Sequence, residues 1–309
     1  MIYVMSDIHG HEERFNSIIK QIDLKDEDTL YVLGDVIDRN RAGIRILRKL
    51  MSMPNVKMLL GNHEYMMLDA ATYFPEPNES WIDLEYSEEL KLWDSNGGAK
   101  TLRSLKYMRK TMREEIFNFV RTLPINIDVE VNGMKYILCH ASPMQNYSKH
   151  PFYSMLYGTE LYFAVWKRWQ PHDGVPEGCT LIFGHTPTCN LQGGYPWRIY
   201  ENDNAIGIDC GGAYEEGRLL CLRLDDMKTF YSEYSWDELF NRAIGKAFLS
   251  PELRAKDEAR YQLGELIKKE TGINIEECES AEEEIDKFLA GRKIPVVFDS
   301  RGNIIKRYI

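Results

Sequence analysis

Short apolar runs alternate with helical periodicities over the first 60 residues. Residues 1–5 form an apolar run that stops at Ser6-Asp7-Ile8-His9-Gly10. In Glu12–Ile22, Phe15, Ile18, Ile19 and Ile22 recur at helical spacing. Residues 29–33 are strand-like and break at Gly34, residues 42–50 place Ile44, Leu47 and Leu50 on one helical face, and residues 55–60 read as a third strand. Strand, helix, strand, helix, strand predicts βαβ units and a largely parallel sheet.

Residues 65–123 are mostly helical in pattern, interrupted at Pro75 and Pro77 and again at Asn96-Gly97-Gly98. An amphipathic helix over residues 114–123 is stopped by Pro124. Two strand-like runs, 125–131 and 134–139, flank Asn132-Gly133, a strong two-residue hairpin signal. Residues 157–169 read as a helix and 179–183 as a strand; 205–209 and 218–224 read as two strands joined by a glycine-rich turn. Beyond Trp236 the character changes. Residues 252–290 are charged and helical in pattern, and residues 295–298 and 303–309 suggest a small closing hairpin. The expected organisation is a catalytic domain over 1–235 and a mainly helical accessory extension over 236–309.

Composition refines this picture. The chain has 309 residues, 44% hydrophobic and 28% charged, as expected of a globular protein with a substantial core. A net charge of -10 argues against nucleic-acid binding through the bulk surface. It leaves room for an anionic substrate held by metals and a few arginines. The N-terminus lacks the pattern of an export signal, and no run of 18 apolar residues suggests a membrane span. The six cysteines form no CxxC and sit largely in apolar runs, which fits reduced thiols and a cytoplasmic setting.

Five strand-like runs end in residues able to bind metal: Asp7 and His9, Asp35, Asn62 and His63, His140, and His185. One Asp or His after a strand is ordinarily a cap or a satisfied polar residue. Five such endings call for a common cause, because ligands bind beyond the carboxyl ends of strands in open α/β sheets. Buried carboxylates are costly unless paired or bound to a cation. The Gly34-Asp35-x-x-Asp38-Arg39 segment therefore reads as a shared metal ligand (Asp35), a partner that supports the site (Asp38) and a phosphate-binding hand (Arg39). Three histidines, two aspartates and an asparagine are too many for one open site. They fit two metals roughly 3.5–4 Å apart, with Asp7 and His9 on the first, Asn62, His140 and His185 on the second, and Asp35 on both. Such mixed imidazole and carboxylate ligation suits Mn, with Fe or Zn as alternatives.

Taken in order, Asp7-x-His9-Gly10, Gly34-Asp35-x-x-Asp38-Arg39, Gly61-Asn62-His63-Glu64, His140 and Gly184-His185-Thr186-Pro187 resemble the calcineurin-like metallophosphoesterases. Asn96-Gly97-Gly98, Leu123-Pro124 and Val165-Trp166-Lys167-Arg168 extend the likeness to the phosphoprotein phosphatase family of serine/threonine phosphatases, of the small bacteriophage lambda type and its bacterial relatives. The resemblance covers about residues 1–225. It implies an α/β (α+β) fold of four layers, αββα, with two mixed sheets flanked by helices and a dimetal site at one edge. It also implies in-line attack by a metal-bridging hydroxide, with phosphate held by Arg39 and Arg168. His63, favoured as a cation by Asp38, would protonate the leaving group.

Three positions depart from the family. Ser6 and Asn40 replace glycines, and asparagine tolerates the positive φ that the turn at residue 40 is expected to need. Leu60 stands where protein phosphatases carry a phosphate-binding arginine; a leucine there resembles the bacterial diadenosine tetraphosphate hydrolases. Those enzymes in turn usually lack the second aspartate, Asp38 here. The leading expectation is a serine/threonine protein phosphatase; the alternative is a bis(5'-nucleosyl)-tetraphosphatase-like or other small-molecule phosphoesterase. The expected partner is a phosphorylated protein or a small phosphate ester, with no nucleic acid and no membrane. A non-catalytic binding module would predict a damaged ligand set, and every ligand position is intact. His11, His150 and His172 read as surface or capping residues, and the aromatic run Tyr162, Phe163, Trp166 and Trp169 as a core face rather than a base-stacking platform.

Overall fold

Tyr3 and Met5 face one way along the first strand and Val4 the other, and this alternation sets the layering. Tyr3 and Met5 join a core with Phe15, Ile18, Leu47 and Met67 from helices, while Val4 joins a second core with Leu138, Ile182 and Leu222 from strands. Side chains of period two are what a strand buried on both faces presents. The computed structural model describes residues 1–74, 87–192 and 197–233, together with two short strands near the C-terminus.

The first sheet is built on β1 (Ile2–Met5), β2 (Thr29–Val32) and β3 (Val56–Met58), which run parallel and are linked by α1 (Glu12–Ile22) and α2 (Gly43–Met51). Four helices follow: α3 (Asn62–Ala71), α4 (Glu88–Ser95), α5 (Ala99–Lys106) and α6 (Lys110–Arg121). The hairpin predicted at Asn132-Gly133 pairs β4 (Asn126–Val131) with β5 (Met134–Cys139), Val131 opposite Met134. A helix α7 (Pro151–Tyr157) ends at Gly158, whose φ is 71°, and the helix expected over residues 157–169 is the shorter α8 (Glu160–Trp166). After β6 (Thr180–Phe183) and α9 (Thr188–Leu191), the chain adds β7 (Tyr200–Asn202), β8 (Ala205–Gly207), β9 (Leu220–Arg223) and β10 (Lys228–Tyr231).

The strand orders are β10-β9-β1-β2-β3 and β4-β5-β6-β8-β7, both mixed. The sheets pack face to face through Val4, Tyr31, Leu33 and Leu59 on one side and Leu138, Ile182, Ile206 and Ile208 on the other. Helices cover the outer face of the first sheet, while Trp169, Val175, Cys179 and Leu191 cover Ile137, Leu181 and Phe183 on the outer face of the second. The glycine-rich turn after β8 does not close a hairpin. It carries the chain from the second sheet to the first, since β8 pairs with β6 and β9 with β1.

The chain divides into two compact units, Met1–Glu233 and Tyr234–Ile309. In the second, β11 (Val297–Phe298) pairs antiparallel with β12 (Ile304–Lys306). The helical stretch expected over 252–290 lies outside the described residues. No helix among the described residues is long and apolar enough to cross a membrane.

Candidate active site

Parallel strands bring the predicted residues to one edge. Asp7 and His9 follow β1, Asp35 follows β2, Asn62 and His63 open α3 just beyond β3, His140 follows β5 and His185 follows β6. The two sheets are joined there: the His185 backbone N–H donates to Asp7 Oδ2 at 3.0 Å, and His140 Nδ1 meets the Leu33 carbonyl at 2.7 Å. The backbone itself is bent to aim these groups. Asp7, His9, Asp35, Asp38, Arg39 and His185 are six of the ten non-glycine residues with left-handed backbone among those described. Such conformations cost of order 1–3 kcal/mol each and persist only where the surroundings impose them. The turn after Asp35 thus places its positive φ at Asp38 and Arg39, not at Asn40. The Asn40 side chain instead donates to the His9 carbonyl at 3.1 Å.

Asp35 is the hub. Its Oδ2 lies 3.6 Å from His9 Nε2 and 3.8 Å from His63 Nε2, and its Oδ1 lies 3.5 Å from His140 Nε2. Asp7 Oδ1 is 4.0 Å from His9 Nε2, and Asn62 Oδ1 is 2.9 Å from His140 Nε2. Two groups able to hold a metal ion result, His9 with Asp35 and His63, and Asp35 with His140 and His185. The Nδ1 atoms of His9 and His140 face the carbonyls of Ile37 at 3.1 Å and Leu33 at 2.7 Å. That pairing fixes the Nδ1–H tautomer and leaves Nε2 free as a ligand.

Burial governs the charges. It pushes His9 and His185 well below the usual imidazole value, with neighbouring histidines adding to the effect, so both rings are neutral donors. Burial also disfavours the Asp35 carboxylate, but the neighbouring imidazoles, His140 and His63 foremost, outweigh it and hold that carboxyl far below its usual range. Asp7 is raised by burial and by Asp35. Asp209 is raised by burial and by Asp7. Neutral imidazoles facing mutually repelling buried carboxylates, with no thiolate among them, form a donor set that fits divalent cations of borderline or hard character.

Arg39, Arg168, Asp7, Asp35, Asn62 and His185 line one cleft, together with Asn96, Trp166, Pro187, Asp209 and Tyr214. His63 sits beneath it, its Nδ1 2.7 Å from Asp38 Oδ2 and its Nε2 3.3 Å from Arg39 Nη2. Arg168 donates to the His185 carbonyl at 2.7 Å. All ten predicted site residues therefore meet at one place. His11 instead stands at the start of α1, and His172 is largely exposed. The aromatic run divides: Phe163 and Trp169 are buried, as a core face requires, whereas Trp166 lines the cleft edge-on to His185.

Several supporting residues have roles that the motifs do not assign. Glu64 accepts from the backbone N–H groups of Asp35, Val36 and Ile37 at 2.8, 2.8 and 3.3 Å, clamping the Asp35 loop. Trp93 Nε1 donates to Asp38 Oδ2 at 2.8 Å, and Thr101 accepts from the Asp38 N–H at 3.0 Å. Asp209 follows β8 in the manner of the other strand endings, and that repeated pattern is the signal that would have found it. Gly34, at φ 94°, lets the Asp35 loop cross Gly61 so closely that a Cβ would lie 2.6 Å from the Gly61 backbone.

Residues 1–189 match the calcineurin-like phosphoesterases. The chain belongs to that family. As a calcineurin-like phosphoesterase it is a metal-dependent hydrolase of phosphate ester-type bonds, and its two candidate metal groups agree with a dimetal site. Among curated relatives, an uncharacterized protein of Methanocaldococcus jannaschii is 26% identical over 154 residues, 49% of this chain and 51% of that protein, so the match spans about half of the relative. The symmetrical bis(5'-nucleosyl)-tetraphosphatase of Salmonella paratyphi A is 26% identical over 271 residues, 74% of this chain and 93% of that enzyme. Among solved structures, a metallophosphoesterase from Sphaerobacter thermophilus aligns over 82% of this chain and 96% of its own at 12% identity and a TM-score of 0.44.

Proposed function

We propose that this phosphoesterase acts on small phosphate compounds of the nucleoside polyphosphate class. The observation that carries the reading is Leu60. Its side chain is buried in the core between the first sheet and its helices, so the position occupied by an arginine in protein phosphatases supplies no cation to the cleft. Arg39 and Arg168 are the guanidinium groups among the described residues lining it. The tetraphosphatase relative, aligned over 93% of its length, supports the same class.

In this reading Asp7 and His9 hold one divalent cation, Asn62, His140 and His185 hold the other, and Asp35 serves both; Mn²⁺ suits the set, as would Fe or Zn. Cations bound there supply an acidified water and polarise the phosphoryl group. The protein's own side chains do the rest. Arg39 and Arg168 grip the phosphate oxygens, for which a guanidinium fork is matched in shape. His63 gives a proton to the departing oxygen. Burial opposes its imidazolium form, but Asp35 and Asp38 outweigh burial and raise it above the usual value.

The His63–Asp38 pair favours a second reading, a serine/threonine phosphatase. An alkoxide leaving group needs a proton far more than a phosphoanhydride does, and the pair is intact at 2.7 Å. A panel with manganese-loaded protein separates the two. The expected result is a higher kcat/KM for diadenosine tetraphosphate than for a phosphoserine peptide; the reverse order sinks the nucleotide reading in favour of the second.

A further inference from the structure

Tyr214 is 44% exposed at the rim of the metal cleft, yet it is held from three sides. Its ring stacks on Trp197, with centroids 5.2 Å apart and planes 28° from parallel. The Arg39 guanidinium carbon lies 5.9 Å from the Tyr214 centroid. Beneath the ring, its backbone is gripped by Arg14, a residue only 1% exposed that reaches from α1 into the crossover between the sheets. Arg14 donates to the carbonyls of Gly212 at 3.0 Å, Tyr214 at 2.8 Å and Glu215 at 3.2 Å, with a longer bond of 3.3 Å to Gly211.

The loop is built to this fit. Gly211, at φ 76°, lies flush against the Trp197 ring, and a Cβ on Gly212 would come within 2.6 Å of the Asp7 carbonyl. A loop placed only to link two sheets has no need of a buried arginine beneath it or of a tryptophan stacked against an exposed ring. Stacking a base on an aromatic side chain works best when the ring is fixed beforehand, because no ordering cost then falls on binding. Here the fixed ring stands beside Arg39, one of the two guanidinium groups among the described residues that line the cleft. A phosphate chain and an aromatic group therefore meet adjacent, matched partners.

We propose that Tyr214, backed by Trp197 and clamped by Arg14, is the specificity residue of this cleft. Its ring is the shelf on which the nucleobase of a nucleoside polyphosphate stacks while the phosphates lie against Arg39 and Arg168. This rests on the nucleotide reading above and adds to it the residue that recognises the base. Base–aromatic stacking is worth about 1–3 kcal/mol, which corresponds to roughly a 5- to 150-fold change in KM.

The test uses the full-length, manganese-loaded protein with diadenosine tetraphosphate and with inorganic tripolyphosphate, which offers phosphates without a base. Tyr214→Ala and Tyr214→Leu are expected to raise KM for the dinucleotide about tenfold while kcat moves little. The preference for dinucleotide over tripolyphosphate should fall by the same factor, and Tyr214→Phe should retain it. Tyr214→Leu preserves apolar bulk without a ring, so it decides the matter if the alanine variant does not fold. A wild type that cleaves the dinucleotide together with leucine and alanine variants of unchanged preference overturns the shelf and leaves the nucleotide reading standing. A wild type that cleaves a phosphoserine peptide and no nucleotide overturns both.

Discussion

Nδ1 of His63 lies 2.7 Å from Oδ2 of Asp38, and both side chains are closed to solvent. The same Asp38 oxygen accepts from Trp93 Nε1 at 2.8 Å, so the carboxylate is fixed before it meets the histidine. Orientation and charge then act together. The ring is held with Nε2 toward the cleft, and Asp38 joins Asp35 in raising it above its usual value against the effect of burial.

His63→Asn should therefore bind metal normally and lose turnover according to the leaving group. General acid catalysis contributes about 10²–10⁴-fold, and that loss is expected on a phosphoserine substrate. On an aryl phosphate or a phosphoanhydride the loss should be far smaller, because those leaving groups hardly need the proton. Asp38→Asn should show a milder form of the same pattern. Metal content and kcat measured for both variants on both substrate types decide it. Equal losses across substrates, or loss of metal from His63→Asn, would move His63 to the metal or phosphate-binding groups.

Much of this arrangement was legible in the sequence because each metal-type residue ends its own apolar run, and parallel strands bring such ends together. The same logic reached Asp7, Asp35, His140 and His185 without any knowledge of the second sheet. It did not reach Glu64, Trp93 or Arg14. Their roles depend on which backbone groups pass beside them, and chain order does not encode that proximity. The pattern over residues 157–169 also set both helix ends too far out, since the helix starts only at Glu160, after Gly158, and stops at Trp166. That the glycine-rich turn after β8 leads into the other sheet was not legible either, because strand pairing follows from the packed sheets, not from the turn residues alone.

Glu64 and Gly61 test the clamp on the Asp35 loop. Glu64→Ala leaves three buried N–H groups without their acceptor, at about 1–3 kcal/mol for each group left unpaired. Glu64→Gln keeps one acceptor oxygen and should lose less. Gly61→Ala would place a Cβ 2.5 Å from the Asp35 nitrogen and 2.7 Å from Glu64 Oε2. It should thus displace Asp35 although it removes none of the proposed metal ligands. Urea midpoints and metal stoichiometry are the readouts. A Gly61→Ala protein with full metal occupancy and wild-type activity would show that the loop tolerates a shift there.

Metal should stabilise the fold as well as enable turnover. A cation that binds only the native state, at a free concentration one hundredfold above its dissociation constant, adds about 2.7 kcal/mol. For a unit of this size each kcal/mol is about 2–4 °C in Tm. Chelation should abolish activity and lower Tm, and added Mn²⁺ should restore both. His185→Ala should need more Mn²⁺ for the same shift. A chelated protein shown by elemental analysis to be metal-free and still fully active would rule out the dimetal assignment.

Arg168 is presented to the cleft by a segment that Asp173 ties down, and this makes a pH-dependent prediction. The Asp173 side chain is 2% exposed. It accepts from Lys167 Nζ at 2.6 Å, the Tyr153 hydroxyl at 2.5 Å and the Gln170 N–H at 2.7 Å, while His172 Nε2 stands 3.8 Å away. Burial raises the Asp173 carboxyl, but Lys167, Tyr153 and Gln170 outweigh burial and hold it below the usual value. A carboxyl depressed on folding stabilises the native state above its unfolded value, near pH 4, and loses that contribution as pH falls through the folded value. Asp173→Asn preserves shape and removes the charge, and hydrogen bonds to charged groups contribute about 1.5–3 kcal/mol. The variant should be less stable than wild type at pH 7, and the gap should begin to narrow below pH 4 and close as pH falls through the folded value, where native wild type loses the same charge. Its KM should rise more than its kcat falls if Arg168, which donates to the His185 carbonyl at 2.7 Å, holds phosphate as proposed, because it then loses its fixed approach. Urea unfolding at pH 7 and at pH 3.5, set beside steady-state kinetics, reads both effects. A stability gap that stays constant with pH would show that the Asp173 charge does not hold the segment.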